Sequence, residues 1–429
     1  MKIPSRFIGT ARVIYSTAKH SFGRLFVSQA GEWYALCFEK IISYLGTRQC
    51  RPQRRFSRKS TLSLQSLTLH ENRPKKIFPH ENGMEHKKIG KTGVKVPPII
   101  FGTSALGNLY TALNDNVKLS IVEECFKFVP NPVVFDTAGK YGAGLALEKL
   151  GECLQRLHIP PENVIISNKL GWKRVPLLTP EPTFEQGVWM DLKNDAVQDI
   201  SFDGIMNCYE QGNRLLGGTY FPQLASVHDP DEYLDSARTP KEREKRFADI
   251  VDAYRALAVL KVQGKAKAIG VGAKHWRTIV EIAGVVELDW VMFANSMTIM
   301  HHPVELQNFM HSLHQKGVSI VNSAVFHAGF LIGGNYFDYR RIQPDTSENR
   351  AIFKWRKDFL TLCGRHNILP AVACVSFAAT APGVVSIALN TSNPRHIQSN
   401  VESVTTKVPA EFWAEMKANG LIRSDYPYV

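Results

Sequence analysis

From residue 84 onward the chain alternates short, β-branched apolar runs with longer stretches in which apolar residues recur at helical spacing. Eight runs read as strands: 96–103, 132–137, 163–170, 222–229, 267–273, 289–295, 317–324 and 384–390. Between them, 117–129, 146–157, 247–264 and 303–317 read as amphipathic helices. Repeated strand–helix alternation argues for parallel strands joined by crossover helices. A doubly wound open sheet shares that order. Eight regular units in about 250–400 residues suit another α/β fold better, the (β/α)8 or TIM barrel. In a barrel, chemistry gathers at the carboxyl ends of the strands, and the long loop 171–200 belongs to that face.

Composition narrows the class further. With 44% hydrophobic and 21% charged residues, collagen-like, coiled-coil and wholly disordered readings fall away. No run approaches the roughly 20 apolar residues needed to span a bilayer, and no membrane partner is expected. The net charge of +13 is unevenly placed: residues 1–83 hold 15 Lys/Arg against 4 Asp/Glu, and the remainder 37 against 35. The body is nearly neutral, so nucleic acid is not an expected partner. Seven scattered cysteines show neither CxxC nor Cys/His ligand spacing. They read as thiols of a reducing cytoplasm, without a disulfide framework or a structural zinc.

Residues 1–83 read as a disordered extension ahead of one domain over 84–429. RQCRPQRRFSRK (48–59) is followed by STLSLQSLTLH (60–70), with poor periodicity. Three readings of this segment stay open: a disordered tail, an organellar targeting peptide, or sequence upstream of a true start at Met84. A secretory signal is not expected, because no apolar h-region of about 7–15 residues is present.

The predicted strand ends carry Asp136, Lys169, His228, Asn295 and Ser323. Strand two runs into DTAGKYG (136–142), strand three ends in NKLG (168–171) and strand four in HDPD (228–231). Asp136, Tyr141, Lys169 and His228 can therefore meet in one pocket. A tyrosine hydroxyl, ordinarily near pKa 10, is expected to be lowered by a neighbouring ammonium, with a carboxylate orienting the lysine. A histidine can hydrogen-bond a substrate oxygen. Such a set handles the proton that accompanies a hydride, and the hydride needs a cofactor. Taken singly, Asp136 also reads as a helix cap, Tyr141 as a loop aromatic, Lys169 as a solvated strand end and His228 as a satisfied histidine. Their joint order on successive strands is harder to dismiss.

On these residues the sequence resembles the aldo-keto reductases. FGTSALGNLY (101–110), SFDGIMNCYEQGNRLLG (201–217), VHDPD (227–231), AYRALAVLKVQGKAKAIGVGA (253–273) and NSAVFHAGFL (322–331) resemble the branch of D-threo-aldose (L-fucose) and pyridoxal dehydrogenases. The resemblance implies a barrel that binds NAD or NADP without a Rossmann fold. It assigns Tyr141 as general acid/base, Lys169 and Asp136 as its tuning pair, and His228 as substrate-orienting donor. Cofactor contacts are implied for Gly102, Thr103, Asn295, Ser323, Phe326, Gly329, Leu331, Asn390, Ser392, His396 and Asn400.

Two departures stand out. Where the family holds the nicotinamide amide with Ser-Asn and Gln, this chain has Gly272, Ala273 and Ala294, with Lys274 beside them. Asn295 is the substitute donor considered. In NTSNPRHIQSN (390–400), Asn390, His396 and Ser399 replace the Lys, Arg and Glu common in NADP-specific members, with Arg395 one place off. A 2′-phosphate is best held by a permanent fork of donors, so NAD is expected over NADP.

Trp172 and Trp189 lie in the loop 171–200 and are candidate substrate contacts with His228, since an indole face stacks on a sugar ring. Pinning the loop to the barrel rim is the equal alternative. The His301–His302 pair lacks a third ligand, and no metal is expected. The first functional expectation is oxidation of an aldose at C1 to its lactone. Reduction of an aldehyde such as pyridoxal is the enzymatic alternative, and a non-catalytic cofactor-sensing subunit the other. The sequence leaves the oligomeric state open.

Overall fold

The structure, a computed structural model, describes residues 84–344 and 346–429. The expected extension 1–83, with Cys37 and Cys50, lies outside the described residues. A short antiparallel hairpin opens the described chain, β1 (Lys87–Lys88) and β2 (Lys95–Val96). The first three barrel strands are β3 (Ile99–Gly102), β4 (Val133–Ala138) and β5 (Val164–Leu170). A second hairpin follows, β6 (Trp172–Pro176) and β7 (Asn194–Gln198). The barrel resumes with β8 (Leu224–His228), β9 (Ala268–Ala273), β10 (Trp290–Ala294) and β11 (Ser319–Ser323). A third hairpin, β12 (Tyr336–Phe337) and β13 (Arg340–Arg341), precedes the last barrel strand, β14 (Val384–Leu389).

All eight expected strands form, and they close into one parallel barrel in the order β3-β4-β5-β8-β9-β10-β11-β14. Every residue of β4, β8 and β9 is buried, as parallel strands lined inside and covered by helices outside must be. Ile89, Val94 and Val96 of the first hairpin pack with Ile100, Val134, Leu224 and Trp290 and plug the amino-terminal end. Trp290 is fully buried there, and truncating it to alanine should cost about 3–5 kcal/mol. The opposite end is left free for chemistry.

The helix expected at 247–264 spans Pro240–Val262. Its first turns are charged and carry no apolar period, so they are invisible to pattern. Thr239 starts them by accepting from the Glu242 amide, while Glu242 accepts from the Arg238 amide. The loop expected at 171–200 is corrected to a hairpin in which Trp172 pairs with Gln198 and Pro176 with Asn194. Its partly buried residues show no clean alternation, which hides the strands from the sequence. The five described cysteines are free and buried. Among the described residues, no helix is long and apolar enough to cross a membrane.

Candidate active site

Parallel pairing sets Asp136 opposite Ser167 and Ala138 opposite Lys169, so the carboxylate and the ammonium point into the same mouth. Both side chains are buried, and the Lys169 Nζ donates to Asp136 Oδ2. Asp136 Oδ1 accepts from Ser167 Oγ at 3.0 Å, so both carboxylate oxygens are bonded. Buried charges persist only when paired and hydrogen-bonded in this way. The Lys169 Nζ lies 4.7 Å from the centre of the Tyr141 ring. His228, the last residue of β8, meets that ring edge-on at 5.5 Å and 85°.

Tyr141 is aimed by two close-packed glycines. Gly142 has φ +61°, and a Cβ there would lie 2.2 Å from the Gly107 carbonyl oxygen. A Cβ on Gly107 would in turn lie 2.8 Å from the Tyr141 carbonyl. The turn after β3 thus backs directly onto the turn after β4. No side chain fits between them.

The acidity expected of Tyr141 is corrected by its surroundings. Burial first, and then the charges of Asp136 and Asp229, push its phenol well above the ordinary value; Lys140 and Lys274 oppose this without prevailing. The neutral phenol is the resident form. Burial holds the His228 imidazole well below its ordinary value, against the pull of Asp229, so this histidine is neutral too. Its Nε2 lies 3.6 Å from Asp229 Oδ2, and its Nδ1 is buried without a partner.

A second ionic cluster flanks the four residues. Lys140, immediately before Tyr141, bonds Asp229 at 2.9 Å, Glu185 at 2.9 Å and Glu232 at 2.6 Å. Burial works against its charge, but these three carboxylates together hold its pKa above the ordinary lysine value. Lys274 joins them through Glu232 and comes within 4.0 Å of Asp229. Lys140, Glu185 and Glu232 give no motif, because the cluster unites loops some 40 to 90 residues apart in sequence. Only HDPD (228–231) hinted at its acidic half.

The two tryptophans separate in role. Trp189 is buried, with its ring 5.8 Å from that of Tyr141, and its indole N–H donates to Glu185 at 2.7 Å. That donor is engaged within the protein, so Trp189 can offer a substrate only its face. Trp172 lies below Lys140, 5.0 Å from Nζ to ring centre, and its buried indole N–H has no partner.

The expected cofactor residues line the mouth from β10 round to β3. Asn295 follows β10 in a left-handed conformation, φ +59°, and its Oδ1 is buried without a hydrogen bond. An orphaned acceptor there fits the NH2 of a carboxamide. Gly102 lies so close to Asn390 that a Cβ would sit 3.2 Å from the asparagine Cβ. Thr103 and Ser323 are at the mouth, with hydroxyls donating to Asp136 O at 3.1 Å and Phe293 O at 2.8 Å. Phe326 is half-buried, and Gly329 takes φ +91° in the loop after β11. Asn390 and Ser392 are exposed in the loop before the helix His396–Thr405, and His396 and Asn400 lie in its first turns; the amides of Arg395, His396 and Ile397 already donate to Asn393 and Pro394. The donor set fits a nicotinamide dinucleotide. Leu331 is the exception: it is fully buried in the core and its amide donates to Phe326 O. The metal expectation concerns His301 and His302, which diverge; His302 is buried against Phe377 and Tyr426, while His301 is exposed.

The aldo/keto reductase family profile matches residues 98–420. The chain belongs to the aldo/keto reductase family and is an oxidoreductase of the class that uses NAD(P)H. It is 26% identical to the pyridoxal 4-dehydrogenase of Microbacterium luteolum over 357 residues, covering 80% of this chain and 99% of that protein. It is also 26% identical to a D-threo-aldose 1-dehydrogenase of a Pseudomonas species over 345 residues, 77% of this chain and 96% of that one. The glycerol dehydrogenase structure from Gluconobacter oxydans shares the fold at 16% identity and a TM-score of 0.56, covering 81% of this chain and 99% of that one.

Proposed function

We propose that the protein oxidises an aldose at C1 to its lactone, with NAD as hydride acceptor. The observation that carries this reading is the convergence of Asp136, Lys169, Tyr141 and His228 at the open end of the barrel, with Lys169 Nζ 4.7 Å from the Tyr141 ring. When bound, the cofactor supplies the hydride chemistry. The protein does the rest. His228 holds the C1 oxygen, and Tyr141 Oη, deprotonated, takes the hydroxyl proton as C1 loses its hydride. Lys169, fixed on Asp136, stands beside the phenolate that this requires. Trp189 offers an aromatic face to a sugar ring. The D-threo-aldose relative supports this substrate class.

Asn295 and Gly102 would hold the nicotinamide half, and Asn390, Ser392, His396 and Asn400 the adenosine half. NAD is preferred because Arg395 is the single permanent cation in 390–400. Both His396 ring nitrogens already face Thr391 and Asn393, at 3.4 and 3.3 Å.

A second reading, reduction of an aldehyde of the pyridoxal type, is favoured by the neutral state of Tyr141, which is the form that donates a proton. Steady-state rates with NAD or NADP and L-fucose, D-arabinose or L-galactose test the first reading. Pyridoxal and small aldehydes with NADH or NADPH test the second. Absence of aldose turnover alongside brisk carbonyl reduction would transfer the assignment to the second.

A further inference from the structure

The β12–β13 hairpin spans the mouth of the barrel. At one side Tyr336 stacks on Tyr110, in the loop after β3, at 4.7 Å and 22°. The Tyr110 hydroxyl donates to the Tyr339 carbonyl at 3.5 Å. At the other side the ring of Tyr339 lies 5.3 Å from Lys274 Nζ, in the loop after β9. Lys274 reaches Asp229, Asp229 reaches His228, and His228 abuts Tyr141. A run of contacts therefore leads from the hairpin tip to the phenol at the centre of the site.

The tip is strained and latched. Register pairs Tyr336 with Arg341 and Phe337 with Arg340, leaving a two-residue turn at Asp338 and Tyr339. Both have positive φ, +46° and +68°, a conformation that a tight hairpin turn of this kind ordinarily gives to Asn-Gly. Strained turns persist where surrounding contacts over-determine them, and they concentrate at ligand clamps. Here the Asp338 carboxylate bonds His327 Nδ1 at 2.7 Å, and His327 Nε2 bonds Thr298 Oγ1 at 2.8 Å. The buried imidazole also stacks flat on Phe337 at 4.8 Å and 7°. Burial, and next the neighbouring Tyr141, raise the Tyr339 phenol above its ordinary range, which agrees with a tip set down close to the site.

Resting on the reading that this mouth takes the substrate, we propose that Tyr339 is a specificity-determining residue: its ring roofs the substrate cleft above Tyr141, selects six-membered-ring substrates over small open-chain ones, and is held in place by the Asp338–His327 latch. Trp189 forms the wall that such a ring would meet beside Tyr141.

Two measurements on Tyr339→Ala and Asp338→Ala test this. The first compares KM for a ring substrate, an aldopyranose or pyridoxal, with KM for glyceraldehyde. The roof predicts that the ring substrate's KM rises by about tenfold in both variants, with kcat and the glyceraldehyde KM changing by less than about threefold. Tyr339→Phe should bring the ring-substrate KM back towards wild type. The second, which needs no turnover, is acrylamide quenching of NADH fluorescence in the enzyme–NADH complex. Quenching should at least double in Tyr339→Ala. An unchanged KM ratio together with unchanged quenching would overturn the roof. Wild-type protein that binds NADH but turns over no substrate would sink the proposed function and leave the quenching result to decide the roof.

Discussion

Gly272 stands where any side chain would strike Lys169: a Cβ there would lie 2.9 Å from the lysine Cδ. The absence of the family's usual serine at this place therefore has a spatial reason. The stem of Lys169, which bonds Asp136 on the neighbouring β4, passes inside the barrel within contact of Gly272 on β9. Gly272→Ser should push the ammonium off its partner while leaving the barrel folded. A misplacement on the order of 1 Å lowers kcat by about 100-fold. Steady-state kinetics alongside circular dichroism checks this, and a fully active Gly272→Ser enzyme would show that the contact does not set the lysine.

The raised pKa of Tyr141 gives the two directions opposite pH profiles. The phenol stays protonated across neutral pH, so reduction should be flat between about pH 6 and 9. Oxidation draws on the phenolate, whose fraction rises about tenfold for each pH unit below the pKa. The log of kcat/KM for oxidation should therefore climb with a slope near one over the same range. A plateau in oxidation at neutral pH would mean that the phenol is more acidic than its surroundings dictate.

Glu185 ties the β6–β7 hairpin to the site by bonding both Trp189 and Lys140. Losing a hydrogen bond to a charged group costs about 1.5–3 kcal/mol. Glu185→Ala should lower the thermal midpoint and raise the substrate KM severalfold, with kcat less affected. Calorimetry and a substrate titration read the two effects separately. A lower kcat with unaltered KM would place Glu185 in the chemical step instead.

Stability should depend on His302. Burial lowers its pKa to about 4, against an ordinary value of 6.5, where it accepts from the Arg423 amide at 3.3 Å and packs on Tyr426. The folded chain keeps it neutral while the unfolded chain takes up a proton below about pH 6.5. The unfolded state thus binds more protons, and stability falls as pH drops from about 6.5 towards 4. At pH 5 the loss is about 2 kcal/mol, at about 1.4 kcal/mol per pKa unit. Urea titrations at pH 7 and 5 should show this difference in wild type and a smaller one in His302→Gln.

The barrel is legible in the sequence because its strands are short, continuous apolar runs flanked by turns. The four central residues are legible because three of them are polar groups at the ends of such runs. The hairpins are not. Tyr336–Phe337 and Arg340–Arg341 are two-residue strands, and Asp338-Tyr339 lacks the Asn-Gly signature of its turn. Gly272 reads as a lost ligand until Lys169 is seen to occupy its space. The acidity of Tyr141 runs opposite to the sequence expectation because burial, and then Asp136 and Asp229, outweigh the cations Lys140 and Lys274.

The most direct test is Tyr141→Phe, which removes one oxygen from the mouth and leaves the ring that packs on Trp189 and His228. General acid–base catalysis by this phenol predicts that turnover falls by about 100- to 10,000-fold while the Kd for NADH, read by fluorescence, stays within about twofold. Turnover close to wild type in a variant that binds NADH normally would contradict the account.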